Sequence, residues 1–193
     1  MKFHKFFAKL YQKASLKMCE DCSDFIKKGD SILDLGCGSG IVIKTFGEFF
    51  NSFVTGIDIQ DSRLVSVPFK LIKEANFPFQ DLSFDVILIS YVLHHAKNQE
   101  DLLKEAKRVA KRIIVFEDLP EKGFFSRIRC FFHGISYNNL FQKKDQKFHF
   151  RTKKEWEELF SEIGFKVIAT KKVGIPIEMI DPTKKILFIL ESK

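Results

Sequence analysis

The stretch Ser31-Ile32-Leu33-Asp34-Leu35-Gly36-Cys37-Gly38-Ser39-Gly40-Ile41 decides how this chain is read. Ser31 to Leu35 is a short, largely apolar strand that runs into three glycines, each separated by one residue. Ile41 to Phe50 then returns to helical periodicity, so strand, glycine loop and helix follow in order. Gly36, Gly38 and Gly40 have no Cβ and accept positive φ, which lets backbone amides approach a ligand closely. The helix behind them presents N–H groups to a carboxylate or a phosphate. Dinucleotide sites use the same device. Here, however, the third glycine position of the dinucleotide fingerprint is held by Ile41, whose β-branch hinders close helix packing at a pyrophosphate.

Downstream, Phe53 to Ile59 forms a second apolar strand carrying Asp58, and Phe69 to Glu74 a shorter third one. Only about one helical turn fits between them, so the crossover helix is truncated. Phe84 to Ser90 is a continuous apolar run suited to a strand buried on both faces, Asp101 to Lys111 an amphipathic helix, and Arg112 to Glu117 the next strand. After Asp118, up to Phe150, the pattern breaks into Phe- and Lys-rich sequence. Thr152 with Glu155 three residues on is a capping box opening a helix through Ile163, which Gly164 terminates. Lys166 to Lys172 and Lys185 to Glu191 close the chain as strands, with Pro176 and Pro182 between them. Upstream, Phe3, Phe6, Phe7, Leu10, Tyr11, Ala14 and Met18 recur at helical spacing among lysines, which makes an amphipathic basic helix.

Alternation of strand and helix implies a parallel sheet with right-handed crossovers. The expected fold is α/β, a doubly wound Rossmann-like sheet, mostly parallel with an antiparallel last strand. A chain of 193 residues supports one core, so residues 1–193 are read as a single domain. Within it, 1–28 is an N-terminal helical cap, 31–118 the ligand-binding core, 119–150 an insertion, and 151–193 the C-terminal helix and strands.

The net charge of +7 concentrates anions, whether phosphates, anionic lipid surfaces or acidic small molecules. The lysines are scattered rather than blocked, which favours a solvated surface over a nucleic-acid footprint. Four cysteines, Cys19, Cys22, Cys37 and Cys130, are too few and too irregular for a disulfide framework and point to a reducing cytoplasm. Met1 to Lys13 lacks the apolar core of a signal peptide, and no later run approaches a membrane span, so a soluble protein is expected. Cys19 and Cys22 have the spacing of a metal knuckle, but no second Cys or His pair stands nearby to complete a structural zinc site, so no metal is expected.

Asp58 lies twenty residues beyond Gly38, where a carboxylate accepts hydrogen bonds from both hydroxyls of a ribose. With this acid in place the chain resembles the class I S-adenosylmethionine-dependent methyltransferases, and within them the type 11 group. Ile32 to Gly40 is similar to the family's first motif, Val54 to Asp58 to its ribose-binding strand, and Phe77-Pro78-Phe79-x-x-x-Ser83-Phe84-Asp85-Val86 to its signature before the fourth strand. Tyr91-Val92-Leu93-His94-His95 and Leu103-x-Glu105-x-x-Arg108-Val109 continue the likeness in register. It spans Ser31 to Glu117, with a weaker echo in Phe148 to Val167 and the final strands.

The resemblance implies S-adenosylmethionine as cofactor, with Gly36, Cys37, Gly38, Gly40 and neighbouring amides on its methionine part and Asp34 fixing the loop. It implies Asp58 on the ribose, Ile59 beside the adenine, and Ser90 and Tyr91 bordering the methyl group. Ala75 and Asn76 stand where the family places its adenine contact, and the acid usual there is either Glu74 or absent. Methyl transfer from a sulfonium is a direct displacement, so a base is optional. The candidates are His94, His95, Asp118 and His133, with Glu117 and His149 beside them.

The acceptor implied is a small or lipid-like molecule, covered by the N-terminal helix and the aromatic segment from Gly123 to Phe141; the equal alternative is that these Phe residues complete the core around a shortened sheet. One alternative is an RNA or protein methyltransferase using the basic surface, with nucleic acid the less favoured partner because no Asn- or Asp-Pro-Pro-aromatic motif follows Ser90. Others are a membrane-surface module acting through the Lys/Phe helix, or a fold that binds the cofactor without transferring its methyl. The motifs fix no oligomeric state.

Overall fold

The structure is a computed structural model that describes residues 2–73, 75–120, 149–174 and 184–193, with side chains described from residue 9. Seven strands build the sheet: β1 (Ser31–Leu35), β2 (Phe53–Asp58), β3 (Phe69–Leu71), β4 (Phe84–Ser90), β5 (Ala110–Leu119), β6 (Phe165–Val173) and β7 (Lys184–Ser192). Four described helices accompany them: α1 (Lys2–Asp21), α2 (Ile41–Phe50), α3 (Gln99–Val109) and α4 (Lys153–Ile163).

The strand order is β3-β2-β1-β4-β5-β7-β6. Neighbours from β3 to β5 pair in parallel, and the last strand, β7, runs antiparallel to β5 and β6. The direction of winding reverses between β1 and β4. In an open α/β sheet this switch point opens a crevice at the carboxyl ends of the strands.

Side chains alternate across the pleat, and the two core faces follow from that period of two. Ile32, Val86, Leu88, Ile114, Phe116 and Ile189 meet α1 and α2 through Ala14, Met18, Ile43 and Phe46. Leu33, Ile87, Ile89, Val115 and Phe188 meet α3 and α4 through Leu103, Ala106, Trp156 and Phe160. Each large apolar side chain buried in these layers contributes about 1.5–3 kcal/mol. The C-terminal half of α1, with Ala14, Met18 and Cys19 buried, is therefore part of the core and more than a cap. Asp21 at its end holds Lys17 and Lys171, each at 2.6 Å.

The capping box forms: the Thr152 hydroxyl accepts the Glu155 N–H, and the Glu155 carboxylate accepts the Thr152 N–H at 2.6 Å. Gly164 closes α4 with φ +86°.

Three boundaries differ from the sequence reading. Strand β3 stops at Leu71, because it pairs only with Gly56 to Asp58 at the sheet edge and no further partner extends it. Helix α3 starts at Gln99 and strand β5 at Ala110, earlier than expected, since Ala110 passes straight from the end of the helix into extended backbone. Between β2 and β3 no helix forms. Residues 59–68 are held instead by local contacts, including Leu64 N–H to Ser39 O at 2.9 Å and Arg63 Nη1 to Val67 O at 2.6 Å. Among the described residues no helix is long and apolar enough to cross a membrane.

Candidate functional site

The glycine loop leaves β1 at the switch point. Gly36, Gly38 and Gly40 take φ of +73°, +47° and +75°. The Gly36 and Cys37 amides both donate to Ile57 O, at 2.8 and 3.2 Å, and the Gly40 amide donates to Cys37 O at 2.8 Å. The Gly38 amide donates to Asp58 Oδ2 at 3.0 Å, while Asp58 Oδ1 accepts from Ile59 N at 2.7 Å. The expected loop and the expected acid are thus joined by a hydrogen bond. These four amides are engaged inside the protein, so what the loop offers outward is shape and close approach rather than a row of N–H donors.

The three glycines have different reasons to be glycine. A Cβ on Gly36 would lie 2.5 Å from Val92 Cγ2, and one on Gly40 would press on Val65 and Val67 at 3.2 and 3.3 Å. A Cβ on Gly38 would have nothing nearer than Gly36 O at 3.9 Å, so it projects into open space. Cys37 turns inward: its Sγ would stand 2.6 Å from a Cβ on Gly56. Burial pushes the Cys37 thiol up to about 12.

Asp34 sits beneath the loop, fully buried, with neither carboxylate oxygen hydrogen-bonded. Burial, and then the negative charge of Asp58, hold its carboxyl well above the usual carboxylate range.

Ser90 and Tyr91 lie at the carboxyl end of β4, half-buried. Tyr91 has φ +57°, a strained conformation for an aromatic residue, and its N–H donates to Phe116 O at 2.8 Å. The next turn is held from below by Glu117, whose side chain is fully buried. Glu117 Oε1 accepts the Leu93 N–H at 2.8 Å and Oε2 lies 2.6 Å from His94 Nδ1. The His94 ring stacks on Phe150 at 4.9 Å and lies tilted against His95 at 4.1 Å. His94 O accepts the His149 N–H at 2.7 Å, Gln99 Nε2 donates to both Leu93 O and His149 O, and Arg151 Nε donates to Gln99 Oε1.

Asp118, adjacent to Glu117 on the strand, points to the other face, where it meets Lys185 at 3.2 Å with both side chains buried. The structure therefore brings His94, His95, Glu117 and Asp118 to one edge beside Ser90 and Tyr91. His133 lies outside the described residues. Ala75 and Asn76 line an open polar recess with Lys73, Asn98 and, on α3, Asp101, Lys104 and Glu105, and Ile59 is exposed just past Asp58. Gln99, Arg151 and Lys185 were not readable as members of this edge. Their partners lie up to 67 residues away in sequence, and no local pattern marks such a contact.

A family model described as a methyltransferase domain matches residues 4–170 of the chain. The chain belongs to this family of methyltransferase domains. An uncharacterized protein of Methanocaldococcus jannaschii is 32% identical over 164 residues, covering 77% of this chain and 71% of that protein. A demethylmenaquinone methyltransferase of Tropheryma whipplei is 31% identical over 105 residues, covering 48% of this chain and 43% of its own length. The chain thus matches less than half of that enzyme. The fold of this methyltransferase is that of a crystallised S-adenosylmethionine-dependent methyltransferase of Methanosarcina mazei, with a TM-score of 0.70 at 19% identity over 89% of this chain and 96% of the other.

Proposed function

We propose that this methyltransferase moves a methyl group from S-adenosylmethionine to a small, lipid-like acceptor in the cytoplasm, as a member of the type 11 group. The observation that carries the reading is the hydrogen bond from Gly38 N–H to Asp58, which unites the glycine loop and the ribose acid in one cradle at the switch point.

The residues fit the cofactor. Open space above Gly38 admits a ligand against the backbone, and Asp58 at the rim has its carboxylate pre-aligned by two backbone amides. The buried, unbonded Asp34 carboxyl beneath the loop suits a ligand carrying positive charge. When bound, S-adenosylmethionine supplies an electrophilic methyl on a sulfonium. The chain's own part is to bind, align and exclude water. Asp58 holds the ribose hydroxyls, Gly36 to Gly40 receive the methionine part, Ile59, Ala75 and Asn76 flank the adenine, and Ser90 and Tyr91 border the transferred methyl. With Nδ1 bound to Glu117, His94 serves to shape the turn.

Residues 119–150 cover the acceptor in this reading. Two features support that role: the described chain enters the segment from the end of β5 and leaves it at His149, whose amide is bonded to His94 at the same edge. An apolar acceptor suits the six aromatic residues from Phe124 to Phe141, and relatives named demethylmenaquinone methyltransferases support the same class.

Calorimetry with S-adenosylmethionine and S-adenosylhomocysteine tests the cofactor half. Charge-assisted hydrogen bonds contribute about 1.5–3 kcal/mol each, so Asp58→Ala is expected to weaken binding roughly 10- to 100-fold. Native protein that binds neither ligand refutes the function. For the acceptor half, tritiated methyl is expected in a reduced demethylmenaquinone presented in detergent micelles, and its appearance only in added RNA would overturn the lipid-like reading.

A further inference from the structure

Asp34 is a buried acid that the alignment of the methyl group does not use. On β1 it lies opposite Gly56 on β2 and Leu88 on β4, so neither residue paired with it brings a charge, and the charge that β2 does carry nearby, Asp58, is negative. The titratable groups that bear on it are Asp58 and, through the loop, the Cys37 thiol, and neither supplies a cation. Arg63 is the cation that acts on Cys37 from the 59–68 segment. Its guanidinium is already committed, to Asp61 at 2.8 and 2.7 Å and to Val67 O at 2.6 Å. An ionised carboxylate left in this position has lost its water and gained no donor, which is among the costliest placements for a charge.

Building on the cofactor reading above, we propose that Asp34 carries a proton in the free protein and gives it up to solvent when S-adenosylmethionine binds, so that cofactor binding and proton release are one coupled event. The O–H bond of the Asp34 carboxyl breaks, the electron pair stays on the carboxylate, and the proton leaves to buffer. The sulfonium and ammonium of the ligand supply the positive charge that the protein withholds. The displaced carboxylate charge is matched by the ligand rather than by a side chain. Burial and the Asp58 charge, which hold the Asp34 carboxyl high, are the reason a proton is present to be released.

The sign follows from linkage. The ligand favours the ionised form, so affinity rises with pH and is lost as pH falls. The slope approaches tenfold per pH unit across the interval where Asp34 is protonated when free and ionised when bound. S-adenosylhomocysteine, a neutral thioether at the sulfur, is expected to release less than S-adenosylmethionine. Binding of the charged cofactor thus responds to cellular acidification, while product binding responds less.

Titration calorimetry of the full chain across a series of pH values, each in two buffers of very different ionisation heat, reads the protons exchanged directly. The expected result is a proton release with S-adenosylmethionine that peaks where Asp34 is protonated when free and ionised when bound, a smaller one with S-adenosylhomocysteine, and none with Asp34→Asn. Heat that is the same in both buffers at every pH for native protein overturns the proposal, as does an equal proton count in the variant. Failure of the cofactor reading itself is seen separately, as no binding of either ligand in any buffer. The native measurement decides the matter even if the variant does not fold.

Discussion

Replacing Gly38 by alanine separates a glycine kept for a ligand from one kept for packing. At φ +47° an L side chain costs about 1–2 kcal/mol. A Cβ there meets only Gly36 O at 3.9 Å, so no steric cost is added inside the protein. For a chain of this length that lowers Tm by roughly 2–8 °C. Gly36→Ala carries the same backbone cost plus a Cβ 2.5 Å from Val92 Cγ2, and overpacking adds about 1–3 kcal/mol. Gly36→Ala should therefore be the less stable variant and Gly38→Ala the one whose ligand site is blocked. The added methyl occupies the space above the amide that Asp58 fixes, so S-adenosylhomocysteine should bind Gly38→Ala at least about tenfold more weakly, a loss of about 1.4 kcal/mol. Differential scanning calorimetry gives the stability and titration calorimetry the affinity. Native-like affinity in Gly38→Ala would show that the open space is not where the cofactor lies, and the cradle would have to be redrawn.

Two further outcomes test the rest of the structure. Glu117→Ala leaves the Leu93 amide and the His94 imidazole without their buried partner; breaking such a pair costs about 3–5 kcal/mol, or a Tm fall of roughly 6–20 °C. Glu117→Gln should fall less, since its amide oxygen still accepts one of the two, and a melt of Glu117→Ala within 2 °C of native, the low end of about 2–4 °C per kcal/mol, would remove the clamp. Burial pushes the Cys19 and Cys37 thiols up to about 12 and raises Cys22 further, so at pH 8 on the order of one in 10⁴ of the first two is thiolate. In a Cys130→Ser protein a thiol reagent should react only as fast as the chain unfolds; a rapid stoichiometric phase in native buffer would place one of the three at the surface.

Much of this was legible in the residues. The strand before the glycine loop, the capping box at Thr152 and the helix at Ile41 are set by local chemistry: positive φ at glycine, a side chain within reach of its own backbone, and periods of two or 3.6. The strand end near Glu74 and the helix end near Lys111 were less legible, because an edge strand ends where its neighbour stops pairing and a helix ends where the next strand claims its backbone. Asp58 could be read as a ribose acid from spacing, but its bond to the Gly38 amide could not.

The sequence by itself determined the class of fold, since strand, Gly36-x-Gly38-x-Gly40 loop and helix are neighbours along the chain, and its motifs carry the resemblance that implies the cofactor. Tertiary structure alone decided which loop amides are already engaged, that Asp34 is left without a partner, and that Glu117 and Asp118 serve opposite faces. It alone decided that Gln99 and Arg151 tie the return at His149 to the turn after β4. The physical reason is that propensity and patterning act over a few residues. Charge, burial and hydrogen bonding at the carboxyl edge are instead set by strands brought together from across the chain, and one buried carboxyl there answers to all of them at once.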